Sequence, residues 1–120
     1  MNLKMKENIR VYVYSEAIDM RAGFTTLQAL VSERMKGNLY EGNVFLFLGK
    51  NRRRAKCLLF DGTGLCLLSK RLDRGGFMPV ADLFGTSEIS YNELGRILDG
   101  ANLRVVYAAA MRERAGQGVA

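Results

Sequence analysis

The sequence predicts a single α+β domain, built on a largely antiparallel sheet of four or five strands with a central three-stranded meander and two or three helices. Three observations carry this reading. The chain has 120 residues, enough to bury roughly two thirds of the surface its unfolded form exposes but not enough for a second core. Three apolar runs between residues 44 and 71 are separated by short turns containing Gly, the spacing of consecutive hairpins. Apolar residues recur at helical spacing in the stretches 20–35 and 94–98.

Each element has a local reason. Residues 9–14 are β-branched and aromatic and read as a first strand, after which Asp19 stands where a helix N-cap would. Met20, Phe24, Leu27, Leu30, Val31 and Met35 then form one apolar stripe that ends near Lys36-Gly37, predicting the first helix. Gly23 in that helix is costly against Ala, so close packing of helix on sheet is the expected reason for it. Gly42 precedes the strand 44–48, a basic turn covers 49–54, and a strand follows over 55–60. Asp61-Gly62-Thr63-Gly64 turns the chain into a strand over 65–71. The pattern weakens over 77–86. A short strand is expected near Glu88-Ile89, and Ser90-Tyr91-Asn92-Glu93 matches a capping box, with Leu94, Ile97 and Leu98 as the helix face and Gly100 as the stop. Residues 105–110 read as a strand or a last helix. The ordered core is expected over about 9–104, with a loose N-terminus and a loose tail from Gly116.

Two consequences follow from this order. In a meander, the end of the second strand, the start of the third and the end of the fourth share one edge, so residues 50–56 and 70–74 converge. With Gly62-Thr63 at the turn, Leu59 pairs with Cys66 and Cys57 with Leu68; Leu58, Phe60, Leu65 and Leu67 then form one face and Cys57, Leu59, Cys66 and Leu68 the other. Both faces are apolar and need cover, which two modest helices would supply incompletely. A dimer or a protein partner is the expectation that follows.

Composition narrows the chemistry. Apolar residues make up 48% of the chain, with 25% charged and a single Pro, the profile of a packed globular protein. There is no His, which excludes Ser-His-Asp and Cys-His catalysis and almost every zinc enzyme. Cys57 and Cys66 are two cysteines without C-x-x-C spacing and read as small, reduced, apolar residues. No apolar stretch is long enough for a membrane helix, and residues 1–8 lack the apolar core of a secretory signal; the expected location is the cytoplasm.

The net charge of +6 is concentrated in one segment. Lys50, Arg52, Arg53, Arg54, Lys56, Lys70, Arg71 and Arg74 face only Asp61 and Asp73 between residues 49 and 74, while basic and acidic residues balance elsewhere. Such a cluster points to a polyanion, an acidic protein surface or an anionic membrane. Arg forks suit phosphate oxygens, so these eight residues are the candidate nucleic-acid-binding set; the bland alternative is a solvated basic turn. No helix-turn-helix, zinc-finger or RNA-recognition signature accompanies them, so sequence-specific readout is not expected. Asp19, Asp61 and Asp73 are simpler to read as a cap, a turn residue and a distant surface charge than as metal ligands. Arg21 is expected to pair with Asp19 or another carboxylate in a structural role. No cofactor, metal or catalytic residue is expected.

Several linked blocks resemble one family. Asp19-Met20-Arg21-Ala22-Gly23-Phe24, Gly42-Asn43-Val44-Phe45-Leu46-Phe47, the Arg52-Arg53 turn, Asp61-Gly62-Thr63-Gly64-Leu65-Cys66-Leu67 and Lys70-Arg71-Leu72-Asp73-Arg74-Gly75-Gly76-Phe77 resemble, in order and spacing, the TnpB-type accessory protein of the insertion-sequence sixty-six family of bacterial mobile elements. The resemblance runs from about Val11 to Arg104. It implies a small protein encoded beside a separate, larger DDE-type transposase and required for efficient transposition. With the basic cluster and the two apolar faces, the expected partners are DNA, bound weakly and with little sequence preference, the cognate transposase and, as an option, a second copy in a homodimer. The chain departs from the family where Trp is common: it has Leu59-Phe60 before the Asp-Gly turn and Met78 before the later Pro. Leu and Phe fill a core equally well, but stacking of those positions on bases loses support.

Overall fold

The computed structural model describes residues 8–77 and 88–99. Five strands form one sheet: β1 Arg10–Val13, β2 Val44–Leu48, β3 Arg54–Phe60, β4 Leu65–Arg71 and β5 Glu88–Ser90, in the order β4-β3-β2-β1-β5. Helix α1 is Phe24–Ala29 and helix α2 is Tyr91–Leu98. The meander β2-β3-β4 is antiparallel throughout, as is β1 with β5. β1 and β2 pair in parallel, which makes the sheet mixed and turns β1, α1 and β2 into a β-α-β crossover. A parallel pair cannot be joined by a tight turn, and the 30 residues between Val13 and Val44 supply the crossover.

β2 is buried along its whole length because it lies at the centre of the sheet and is covered on both faces. Its alternate residues enter two cores. Phe45 and Phe47 join Tyr14, Ile18, Leu27, Val31, Leu39 and Leu58 beneath α1. Val44, Leu46 and Leu48 join Val11, Val13, Cys57, Ile89, Leu94 and Ile97 beneath α2, with the fully buried Phe77 ring among them. The expected register holds: Leu59 faces Cys66 and Cys57 faces Leu68. Both cysteines are free, and burial pushes the Cys57 thiol up to about 12.

Cover thins toward the outer strand. Leu65, Cys66 and Leu67 are half-buried and Leu68 is 54% exposed. The two apolar faces are thus closed over β2 and the inner part of β3, and the expectation of incomplete cover applies to β4 and to the half-buried Leu59 and Phe60 at the end of β3.

The first helix differs from its sequence reading. It starts at Phe24 with Gly23 as its N-cap, not at Asp19. Asp19 instead makes a turn: its carboxylate accepts from the Arg21 backbone N–H at 2.8 Å and from Nη2 of Arg21 at 2.6 Å, and its carbonyl accepts from Ala22. A short carboxylate bonding the backbone two residues on is a turn former as readily as a cap. Gly23 also has a different reason from close packing, since a Cβ there would meet nothing within 4 Å. Beyond Ala29 the α-helix widens into a π-helical turn, Leu30–Arg34, in which Met35 N–H donates to the Leu30 carbonyl at 3.0 Å. Gly37 then passes so close to the Phe45 ring that a Cβ would lie 2.6 Å from Cε1.

The second helix follows the sequence. Ser90 Oγ accepts from Glu93 N–H and Glu93 Oε2 accepts from Ser90 N–H, both at 3.1 Å, closing the capping box. The expectations for residues 1–7, 78–86, Gly100, 105–110 and the tail from Gly116 lie outside the described residues.

Candidate nucleic-acid interface

The basic cluster is organised by one turn and one strand end. Between β2 and β3, Gly49 N–H donates to the Arg54 carbonyl at 3.0 Å and Arg52 N–H to the Gly49 carbonyl at 3.3 Å. Asn51 Oδ1 accepts from Arg53 N–H at 3.0 Å, and Arg52 takes a left-handed φ of 62° to close the loop. Gly49 leaves no room for a side chain, because a Cβ would stand 2.9 Å from Cγ of Met20. One step past the last β3–β4 pair, Leu72 N–H donates to the Arg53 carbonyl at 2.8 Å. Residues 50–56 and 70–74 therefore meet at the same end of the sheet.

Within this end the eight basic residues separate. Arg54 and Arg71 are direct cross-strand partners on the α1 face. With Arg53 they line a cleft of about 320 Å³ whose other walls are Asn51, Leu72 and Asp73. Lys50, Arg53, Arg54, Arg71 and Arg74 are exposed, and among the described residues no carboxylate pairs with any of them. Lys50 is near enough to Asp19 to help hold its carboxyl down at about 2, behind the larger effect of the Arg21 hydrogen bonds.

The other three make internal contacts. Arg52 Nε donates to the Phe77 carbonyl at 2.8 Å while the Phe77 N–H returns a bond to the Arg52 carbonyl, so this arginine staples the chain after β4 to the turn. Gly76 lies against it, where a Cβ would come within 3.1 Å of the Arg52 carbonyl oxygen. Lys56 Nζ donates to the Ala22 carbonyl at 2.7 Å, fixing the lead into α1 on the sheet. Lys70, on the opposite face, pairs with Asp99 just after α2 at 3.5 Å. A count of charges along the sequence cannot make this division; only alternation on the strands and the positions of Ala22, Phe77 and Asp99 reveal it.

The acidic candidates do not gather. Asp61 Oδ1 accepts from Thr63 and Gly64 N–H groups in the β3–β4 turn, while Asp73 follows the far end of β4. Among the described residues no three Cys, Asp or Glu side chains are grouped to hold a metal ion, and no helix is long and apolar enough to cross a membrane.

A family profile described as "IS66 Orf2 like protein" matches residues 9–108. The chain belongs to that family. Membership in the IS66 Orf2 family carries an accessory role in the transposition of an insertion sequence. Two relatives come from Sinorhizobium fredii (strain NBRC 101917 / NGR234). "Uncharacterized protein y4hO" is 39% identical over 98 residues, covering 82% of this chain and 85% of its own. "Uncharacterized protein y4jC" is 33% identical over 94 residues, covering 77% and 79%. No solved structure matches significantly. The match spans the turn 49–54 and the end of β4, so the basic edge lies inside the IS66 Orf2 region.

Proposed function

We propose that this IS66 Orf2 protein is a non-catalytic accessory factor that binds DNA phosphates through its basic sheet edge while engaging the element's transposase. The observation that carries the reading is the convergence of Arg53, Arg54 and Arg71 from two sequence-distant segments, with no carboxylate paired to them among the described residues. Guanidinium groups held in this way suit phosphate oxygens, and the absence of a base-reading motif in the sequence favours contacts to the backbone. Lys50 and Arg74 extend the positive surface. Arg52, Lys56 and Lys70 add charge to the field while serving the fold.

The transposase is the partner that the accessory role of the family favours. An apolar groove of about 180 Å³ beside the exposed Leu68 and Tyr91, lined by Leu59, Leu94 and Leu98, supports a protein contact on the α2 face of the sheet, opposite the face that carries the arginine cleft. Self-association through the β4 side belongs to the same reading. A pull-down with the cognate transposase, with and without element-end DNA, tests it. DNA binding itself is read from salt titration of duplex affinity: five or six neutralised phosphates give a slope of log K against log salt of about −4 to −5 with little sequence preference. Binding to the transposase with no affinity for DNA at low salt would establish instead an adaptor whose basic edge meets an acidic protein. Neither nicking nor joining of DNA is expected with Mg²⁺ or Mn²⁺; metal-dependent cleavage lost in Asp61→Asn or Asp73→Asn would overturn the non-catalytic assignment.

A further inference from the structure

The Arg54–Arg71 pair is an anomaly within the sheet. Two guanidinium side chains leave directly opposite positions of adjacent antiparallel strands, on the same face. Their Cβ atoms are held about 4.5–5.5 Å apart by the ladder, a separation at which like charges destabilise a strand pair. No other β3–β4 pair opposes two charges: Lys70 faces Ala55 and Lys56 faces Ser69. Both arginines are exposed, and among the described residues neither is ion-paired with a carboxylate, Asp73 lying on the cleft wall without bridging to either. The ladder continues past them through Leu72 N–H and the Arg53 carbonyl, so the strand ends cannot splay to separate the charges. Arg53 opens onto the same cleft.

We infer that Arg54 and Arg71 form a two-arginine clamp for a single phosphoryl group, with Arg53 at its rim. The inference rests on the DNA-phosphate reading of this edge and assigns its central contact to one site. A phosphate oxyanion between two forks accepts charge-assisted hydrogen bonds from both and cancels the repulsion that the empty pair carries. Asp73 on the cleft wall sets the limit on charge, since it opposes a highly charged anion and favours a phosphodiester or a single terminal phosphate. The clamp predicts a coupling that a diffuse basic surface does not have. Removing either arginine should abolish the site, and removing the second should add nothing.

The test uses the full chain and thermal unfolding at low ionic strength, with inorganic phosphate compared against chloride of matched ionic strength. In the parent, phosphate should raise the midpoint by about 3 °C more than chloride does. Arg54→Gln and Arg71→Gln should each lose this increment, and the double variant should lose no more than either single one. Without phosphate, each single variant should unfold no earlier than the parent, because the repulsion is gone, which separates loss of the site from loss of the fold. Arg71→Lys keeps the charge without the fork and should lose most of the phosphate-specific increment. Equal effects of phosphate and chloride on the parent, or an increment that survives in both single variants, would overturn the clamp. Duplexes with 5′-phosphate or 5′-hydroxyl ends distinguish the two sources: a preference for phosphorylated ends that is lost in Arg71→Gln assigns a terminal group, and equal affinities that fall together in the variant assign the backbone. Parent-like DNA affinity in the double variant would defeat the clamp and leave the wider basic edge standing, whereas a phosphate increment without any DNA binding would uphold the clamp and remove the DNA reading.

Discussion

At the scale of single residues, the basic cluster divides into side chains that hold the fold and side chains that face solvent, and the two groups should respond differently to mutation. Arg53→Ala and Arg54→Ala remove exposed charges and are expected to weaken DNA binding across all sequences while leaving the unfolding midpoint nearly unchanged. Arg52→Ala removes the Nε bond to the Phe77 carbonyl and should lower stability as well. Arg52→Gly tests the cause: it loses the same bond but relieves the left-handed backbone, so it should be the less damaging of the two in urea unfolding. Asp19 supplies the pH dependence. Its folded-state carboxyl is depressed to about 2 by Arg21, so its contribution is present above the unfolded value near 3.9 and is lost as pH falls through about 2. The group is fully exposed, so the effect is small and salt-sensitive. A carboxyl titration followed by NMR should find Asp19 near 2 and should find it moved toward the ordinary carboxylate range in Arg21→Gln.

At the scale of elements, the two helices are held by different devices. α2 begins with a complete capping box, and Ser90→Ala should cost about 1 kcal/mol, measured as a shift in the urea midpoint at constant slope. α1 has no side-chain cap and contains six residues, so its position depends on packing and on the tie from Lys56 to the Ala22 carbonyl. Gly37→Ala drives a methyl group into the buried Phe45 ring and should destabilise the fold by roughly 1–3 kcal/mol. The helical spacing of Leu27 and Val31 identifies the face that α1 and its π-helical extension turn to the sheet, both residues being buried. Phe24, the first residue of the helix, belongs to the same stripe but is 45% exposed.

At the scale of the whole molecule, β4 is the outer strand, with pairing on one side only among the described residues, and its Leu68 is exposed beside the apolar groove. An unpaired edge with apolar side chains is a template for association. Sedimentation equilibrium at micromolar concentration is expected to detect self-association that Leu68→Lys removes; a strict monomer for the parent would leave the basic edge as the functional surface. The DNA and protein surfaces share β3 and β4 but open on opposite faces, since Leu68 lies on the α2 side and Arg71, three residues further along the same strand, on the α1 side. One strand can thus present both contacts.

The sequence by itself determined the α+β class, the meander and the register of its second hairpin, the short strand before Ser90, the capping box and the convergence of the basic segments. Each of these depends on local periodicity or on a turn, and the Asp61-Gly62-Thr63-Gly64 turn fixes the pairing of Leu59 with Cys66 without help from distant residues. The blocks that carry the family resemblance are equally local. Tertiary structure decided the rest. The parallel pairing of β1 with β2 depends on where a 30-residue crossover returns, which no local signal encodes. The start of α1 depended on whether Asp19 bonded a helix N-terminus or Arg21, two uses of one carboxylate that look alike in sequence. The division of the eight basic residues was likewise decided in space. Arg52 meets Phe77, Lys56 meets Ala22 and Lys70 meets Asp99 across 25, 34 and 29 positions of chain, leaving Arg54 and Arg71 opposed and open to solvent. Charge in a sequence gives the sign of the partner; the geometry of the ladder decides which charges are left to meet it.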